Sequence, residues 1–288
     1  MIYLLFVSFI WAFSFGLIKG NLTGLDSNFV SFARMALSLA VFAPFFRRTG
    51  LRTPLALQLM AIGAVQYGLM YLAYIYSFQY LQAYQVALFT IFTPLYVTLI
   101  HDLLTRRLHG FFLLTASLAI VGTGIIVYRE LDQSDLRLGF FLLQFSNICF
   151  AFGQTYYRRL LRKNPALKDH QIFGLLYLGA TLVTLLAAGY STGWNLPTLS
   201  ATHVLTLLYL GILASGICFF LWNYGAKQVD AGALAILNNL KVPLAVACSA
   251  LFFHETVDLQ RLLLGGALIL GALFLNEALA RRLYGKNA

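Results

Sequence analysis

Charge is scarce in this 288-residue chain: Asp, Glu, Lys and Arg make up only 10% of it. Soluble domains carry about 25%, so a soluble globular fold is excluded first. The ten acidic residues are Asp26, Asp102, Glu130, Asp132, Asp135, Asp169, Asp230, Glu255, Asp258 and Glu277, each in a break between apolar runs or near the end of one. A relay of intramembrane carboxylates, the usual device of proton-driven pumps, is therefore not expected. Cysteine is limited to Cys149, Cys218 and Cys248, each inside an apolar run and none in a CxxC pair. That leaves no disulfide framework or thiolate metal site, only small packing residues. The histidines, His101, His109, His170, His203 and His254, are scattered without metal-ligand spacing, and HExxH, GxSxG and P-loop signatures are missing. The chain is thus not expected to be an enzyme or to hold a metal or cofactor. It also lacks a filter-like motif and a ring of charges, which argues against a channel. Met1-Ile-Tyr-Leu-Leu-Phe6 has no basic segment ahead of its apolar residues, so it reads as a retained span rather than a cleaved signal peptide.

Apolar residues fill the space that charge leaves, at 60% of the chain. They form runs at about 1–18, 28–46, 55–77, 83–101, 110–128, 137–157, 171–190, 203–224, 231–252 and 260–279, each near the roughly 20 residues that span a bilayer. In lipid each must be a helix, because an unpaired backbone amide there costs several kcal/mol. The alternating pattern of an outer-membrane barrel is missing. The expected fold is therefore an all-α membrane protein of ten transmembrane helices. Orientation follows from Lys and Arg in the loops. With the N-terminus inside, the inner loops hold fourteen: Arg47, Arg48, Arg52, Arg106, Arg107, Arg158, Arg159, Arg162, Lys163, Lys168, Lys227, Arg281, Arg282 and Lys286. The outer loops hold only Lys19, Arg129, Arg137 and Arg261. Both termini are expected inside. The net charge of +10 then faces the anionic inner leaflet, and the partner it implies is the lipid bilayer rather than nucleic acid.

The two halves resemble each other. A shift of 149 places Gln79 on Gln228, Pro94 on Pro243, Leu95 on Leu244 and Gly122 on Gly271, while a shift of 139 places Ala12-Phe13-Ser14 on Ala151-Phe152-Gly153. A repeat with an odd number of spans inserts its second copy upside down, an arrangement common in secondary transporters, with substrate held near the midplane. The division expected is a first repeat at 1–130, an inverted second repeat at 137–280 and a cytoplasmic tail at 281–288.

Lys241 lies at the centre of the ninth run, in Asn238-Asn-Leu-Lys-Val-Pro243. A lysine there costs about 2.5–3.5 kcal/mol on insertion scales and must face protein or a cavity. Leu234, Asn238, Lys241 and Ala245 fall on one helical face. A cation beside an amide suits a ligand with a carboxylate and a urea- or amide-like group. The alternative is a lysine satisfied by neighbouring carbonyls that only fixes packing. Arg34, in the second run, either holds an anion or snorkels to the outer interface. Polar stripes recur elsewhere: Gln144, Asn147, Ala151 and Gln154; Gln66, Met70, Tyr74 and Ser77; Ser8, Trp11 and Ser14; Trp222-Asn-Tyr224. Any one of them could join helix to helix. Together they suggest a wet, aromatic-lined cavity. Without a midplane carboxylate, such an interior is net cationic and points to a small anionic substrate.

Ten spans in a five-plus-five repeat, Trp11-Ala-Phe-Ser14, Arg34, and Glu255 before a Gly-rich last helix resemble EamA-type carriers of the drug/metabolite transporter superfamily, in its carboxylate/amino acid/amine branch. Gly63-Ala-Val-Gln-Tyr-Gly-Leu-Met-Tyr71, Leu88-Phe-Thr-Ile-Phe-Thr-Pro94 and Trp222-Asn-Tyr-Gly-Ala-Lys-Gln-Val-Asp-Ala-Gly232 are similar to stretches of that branch's bacterial biotin carriers. The resemblance implies biotin import across a bacterial inner membrane by alternating access. The same scaffold also serves export of amino acids and related metabolites, and a membrane-embedded interaction protein without transport is a third reading. Residue chemistry and resemblance together select a candidate substrate-binding set: Lys241, Asn238, Asn239, Asn223, Trp11, Trp222, Tyr71, Tyr74, Gln66, Gln85, Asn147 and Arg34.

Overall fold

In the computed structural model, which describes residues 1–47, 51–81, 86, 89–106, 108, 110–127, 136–252 and 258–284, the described residues are helical and include no strand. In chain order the helices are α1 (Ile2–Asn21), α2 (Ser27–Phe42), α3 (Thr53–Ser77), α4 (Thr93–Thr105), α5 (Gly110–Val127), α6 (Leu136–Lys163), α7 (Asp169–Thr192), α8 (Ala201–Ala226), α9 (Ala231–Phe252) and α10 (Leu259–Tyr284). Stretches in α1, α2, α3, α6, α7, α8 and α10 are long and apolar enough to cross a bilayer, and Gly110–Ile125 of α5 is a shorter apolar helix.

Short polar residues set the starts. The Asp26 side chain accepts from the Phe29 amide at 2.8 Å to open α2, Asp230 does the same for Ala233 of α9, and Ser200 and His203 form a reciprocal cap on α8. Such caps satisfy amides that a helix leaves without partners. Two breaks inside the helices matter more. Residues Ala64–Leu69 of α3 and Tyr209–Ile217 of α8 are wound as π-helix. The wider turn shifts the phase of every side chain beyond it and recurs at functional sites. α4 is entered through a 3-10 turn, Thr90–Phe92, because Pro94 in its first turn has no amide hydrogen to carry the helix further back.

α6 is polar inside and apolar outside. Gln144, Asn147 and Gln154 are buried, while Leu138, Phe141, Phe145 and Ile148, also spaced three and four apart, are exposed. In water such a helix would be inside out. Against lipid tails the outer stripe costs nothing and the inner one finds partners.

α1 packs on α9 as α6 packs on α4; α2 packs on α8 as α7 packs on α3; α2 meets α7, and α5 meets α10. Exchanging the first five helices for the last five leaves these neighbours unchanged. The α3–α7 crossing is the closest: a Cβ on Gly63 would lie 1.9 Å from the Leu176 carbonyl oxygen, and one on Gly179 would lie 2.0 Å from that of Met60. Only glycine permits that approach. One end of the bundle carries the start of α1, the ends of α2, α6 and α8, and most of the cations, among them Arg47, Arg158, Arg159, Arg162, Lys163 and Lys227. It is called the basic end below.

Candidate functional site

A cavity of about 600 Å³, its mouth included, lies between α1, α2, α3, α4, α6, α8 and α9. It is lined by Trp11, Ser14, Phe15 and Ile18 of α1, Arg34 of α2, Met70, Tyr71 and Tyr74 of α3, and Thr90 and Thr93 at the opening of α4; Ser146, Asn147 and Phe150 of α6, Phe219 of α8 and Lys241 of α9 complete it. These positions run from the middle of the bundle away from the basic end. The mix of aromatic walls with few polar groups is that of a small-molecule site.

The π segment of α8 backs the cavity without lining it. Its widened turns leave carbonyls open to other donors: the Trp11 indole Nε1 donates to the Ala214 carbonyl at 2.8 Å, and the Tyr177 hydroxyl reaches the carbonyls of Ser215 and Gly216. The Ser215 hydroxyl accepts from Arg34 Nε at 3.1 Å, and Arg34 Nη2 donates to the Tyr71 hydroxyl at 2.6 Å with its guanidinium carbon 4.3 Å from that ring's centroid. Arg34 Nη1 is buried with no partner among the described residues. Arg34 is 2% exposed, so it does not snorkel. Across the cavity the half-buried Lys241 holds its ammonium 5.7 Å from the centroid of the Trp11 ring. Neither cation has a carboxylate partner among the described residues. A buried charge without a counter-ion is costly, and two such cations stand on this one cavity.

Beneath the cavity, toward the basic end, lies a packed layer. Trp11 meets Trp222 at 4.9 Å and Phe219 at 5.2 Å, and Phe219 stacks on Tyr67 at 4.5 Å. Gln66 and Asn223 exchange amide hydrogen bonds at 2.9 and 3.1 Å, and the Trp222 indole donates to Gln154 Oε1 at 2.6 Å. A Cβ on Gly153 would lie 2.1 Å from that of Gln66, so α6 can approach only with glycine there. Nearer the basic end, Asp169 accepts from the Tyr157 hydroxyl at 2.7 Å and pairs with Lys227.

Of the residues selected from the sequence, Trp11, Arg34, Tyr71, Tyr74, Asn147 and Lys241 come together around the cavity. Gln66, Asn223 and Trp222 belong to the packed layer instead, because the π segment carries Gln66 out of phase with Met70 and Tyr74. Asn239 is buried and donates to the Ile91 carbonyl in the 3-10 entry of α4, and Asn238 donates to the Leu234 carbonyl of its own helix. Asn147 and Gln144 both donate to the Phe89 carbonyl at the same entry. Gln85 lies outside the described residues. Ser215, Thr90, Thr93, Ser146, Phe150 and Phe219 were not selected. Of these, Ser215 carried a signal, a hydroxyl in the glycine-flanked run Gly211-Ile-Leu-Ala-Ser-Gly216 where a helix is free to widen.

Two segments of the chain, residues 1–128 and 137–277, match the profile of the EamA-like transporter family. The chain is 41% identical over 285 residues to a probable biotin transporter of Pseudomonas aeruginosa, covering 98% of this chain and 99% of that one. It is 38% identical to the biotin transporter of Escherichia coli K12, covering 96% and 93%. A probable amino-acid metabolite efflux pump of the same bacterium is 27% identical over 59% of each chain. One solved crystal structure superposes with a TM-score of 0.78 over 98% of both chains at 18% identity, a likeness of fold alone.

Proposed function

The chain belongs to the EamA-like transporter family, and from that premise we propose that it imports biotin across a bacterial inner membrane. It is a multi-pass membrane protein, and its family and relatives are named for transport. The proposed architecture is ten spans in two inverted repeats, 1–130 and 137–280, with a tail at 281–288 and both termini cytoplasmic. The neighbour pattern that survives exchange of the halves supports the repeat, as do the two family matches. The basic end is then the cytoplasmic one, and the cavity faces outward.

The observation that carries the substrate reading is the pair of cations, Arg34 and Lys241, set on an aromatic cavity with no carboxylate among the described residues to neutralise them. Biotin brings one carboxylate, a ureido ring and an apolar body. Arg34 Nη1 and the Lys241 ammonium supply donors for the carboxylate. Asn147 Oδ1 and the Thr93 hydroxyl oxygen offer acceptors for the ureido N–H groups, and the Ser146 hydroxyl a donor for its carbonyl. Trp11, Tyr74, Phe150 and Phe219 cover the apolar body. Transport by alternating access requires the packed layer of Gln66, Gln154, Trp222 and Asn223 to open toward the cytoplasm as the outer mouth closes.

Uptake of radiolabelled biotin at nanomolar concentration, in cells that neither make nor import it, tests the proposal. Saturable uptake dependent on this chain is the expected result. No uptake, with the chain shown to be in the membrane, would overturn it.

A further inference from the structure

Four cations crowd the last six residues of α6: Arg158, Arg159, Arg162 and Lys163. Arg158 and Arg162 stand four apart, as do Arg159 and Lys163, a spacing at which like charges repel. α6 contains no acidic residue to offset them. Together with Thr155, and with His101, Leu104 and Thr105 of α4, they line an open groove outside the transport cavity.

Arg158 sets this groove apart from an ordinary basic surface. It is only 5% exposed, its Nε is buried with no partner, and no hydrogen bond or ion pair to it is found among the described residues. The Thr155 hydroxyl beside it is likewise buried and unpartnered. Asp169 holds Tyr157 and Lys227; Asp230, whose charge reaches Arg158 without a hydrogen bond to it, caps α9 and accepts from Asn276. Arg159, on the same groove, donates to the Leu104 carbonyl at the end of α4. A nearly buried guanidinium on the wall of a groove, its Nε without a partner, has the geometry that recognises oxyanions.

We propose that this groove binds a phosphate-bearing anion, the headgroup of an acidic phospholipid being the source favoured by its position. The position rests on the orientation argued above, which puts the end of α6 at the cytoplasmic surface, where basic pockets between helices meet anionic headgroups. Arg158 and Arg162 clamp the phosphate, and Thr155 adds a hydroxyl.

The test is thermal unfolding of the purified full chain in phosphatidylcholine micelles, titrated separately with phosphatidylglycerol, inorganic phosphate and further phosphatidylcholine. The expected result is a saturable rise in Tm with phosphatidylglycerol and none with phosphatidylcholine. Arg158→Gln should weaken the apparent affinity about tenfold or more, the worth of one charge-assisted contact. The exposed Arg162→Gln, which keeps the core intact, should shift it in the same direction, while Arg261→Gln at the opposite end should not. A rise with inorganic phosphate at the same arginines would support the site and assign it to a soluble anion. A response that survives both arginine substitutions, or is equal for phosphatidylcholine, would overturn the proposal. Biotin uptake by the same variants keeps the two readings apart. Lost lipid response with intact uptake removes only this site, and absent wild-type uptake with an intact lipid response removes only the import reading.

Discussion

Above the Trp11 ring, the cations stand unpaired among the described residues; below it, most polar groups are tied to one another. Arg34 keeps one nitrogen without a partner and Lys241 has an aromatic face beside it, whereas Gln66 and Asn223 satisfy each other and Trp222 is held by Gln154, whose Nε2 is left over. A helix packed in lipid gains little from leaving a cation unpaired. The upper groups therefore suit the proposed role of holding a substrate that comes and goes. The lower groups bond largely to one another and are the plug that the import proposal requires to open, its bonds each worth only about 0.6 kcal/mol between membrane helices.

The contrast is sharpest at Arg34. Arg34→Gln should raise KM for biotin about 10- to 100-fold, the loss of one or two charge-assisted hydrogen bonds of about 1.5–3 kcal/mol. Concentration-dependent uptake at matched membrane levels measures it. Lys241→Ala should raise KM about tenfold, while Lys227→Ala, at the basic end, should leave KM near wild type; hydrogen bonds to charged groups at the cavity set the first figure. Equal losses from the two lysine variants would erase the distinction between the cavity and the basic end. In the plug, Gln66→Leu or Asn223→Leu alone strands a buried amide and should cost about 1–3 kcal/mol. The double substitution should cost less than the sum, as a double-mutant cycle of thermal unfolding would reveal. Strict additivity would mean that the pair does not act as a unit. The smallest effect concerns energy coupling. Because no acidic residue lies mid-span, a protonophore with the electrical potential clamped should leave initial uptake unchanged.

How much of this could be read from the chain differs by residue. Lys241 and Arg34 stand out in a sequence with 10% charge, since a cation inside an apolar run has few harmless explanations. The stripes on α6 were equally plain, and Asn147 lines the cavity while Gln144 and Gln154 hold neighbouring helices. Spacing gives the angle of a side chain about its helix and says nothing of depth along the axis or of what the next helix presents. Asn223 and Trp222 could not be separated from the cavity on that basis. Gln66 failed for another reason: four-residue spacing to Met70 assumes an unbroken α-helix, and the π turn at Ala64–Leu69 removes that premise. The 3-10 entry to α4 was foreshadowed by Pro94, yet the amides of Asn147 and Asn239 that satisfy its carbonyls arrive from far along the chain.

The Trp11–Trp222 contact also gives the molecule an optical gauge. Of its three indoles, these two touch at the junction of cavity and plug, and Trp194 stands 68% exposed in the turn after α7. Emission from the buried pair is set by the Lys241 charge above it and by the indole–carbonyl bonds on either side. A ligand that neutralises that charge, or a motion that parts the rings, must change their fluorescence and their near-ultraviolet dichroism together. With Trp194 replaced by phenylalanine, the remaining signal would follow occupancy and opening without any attached dye.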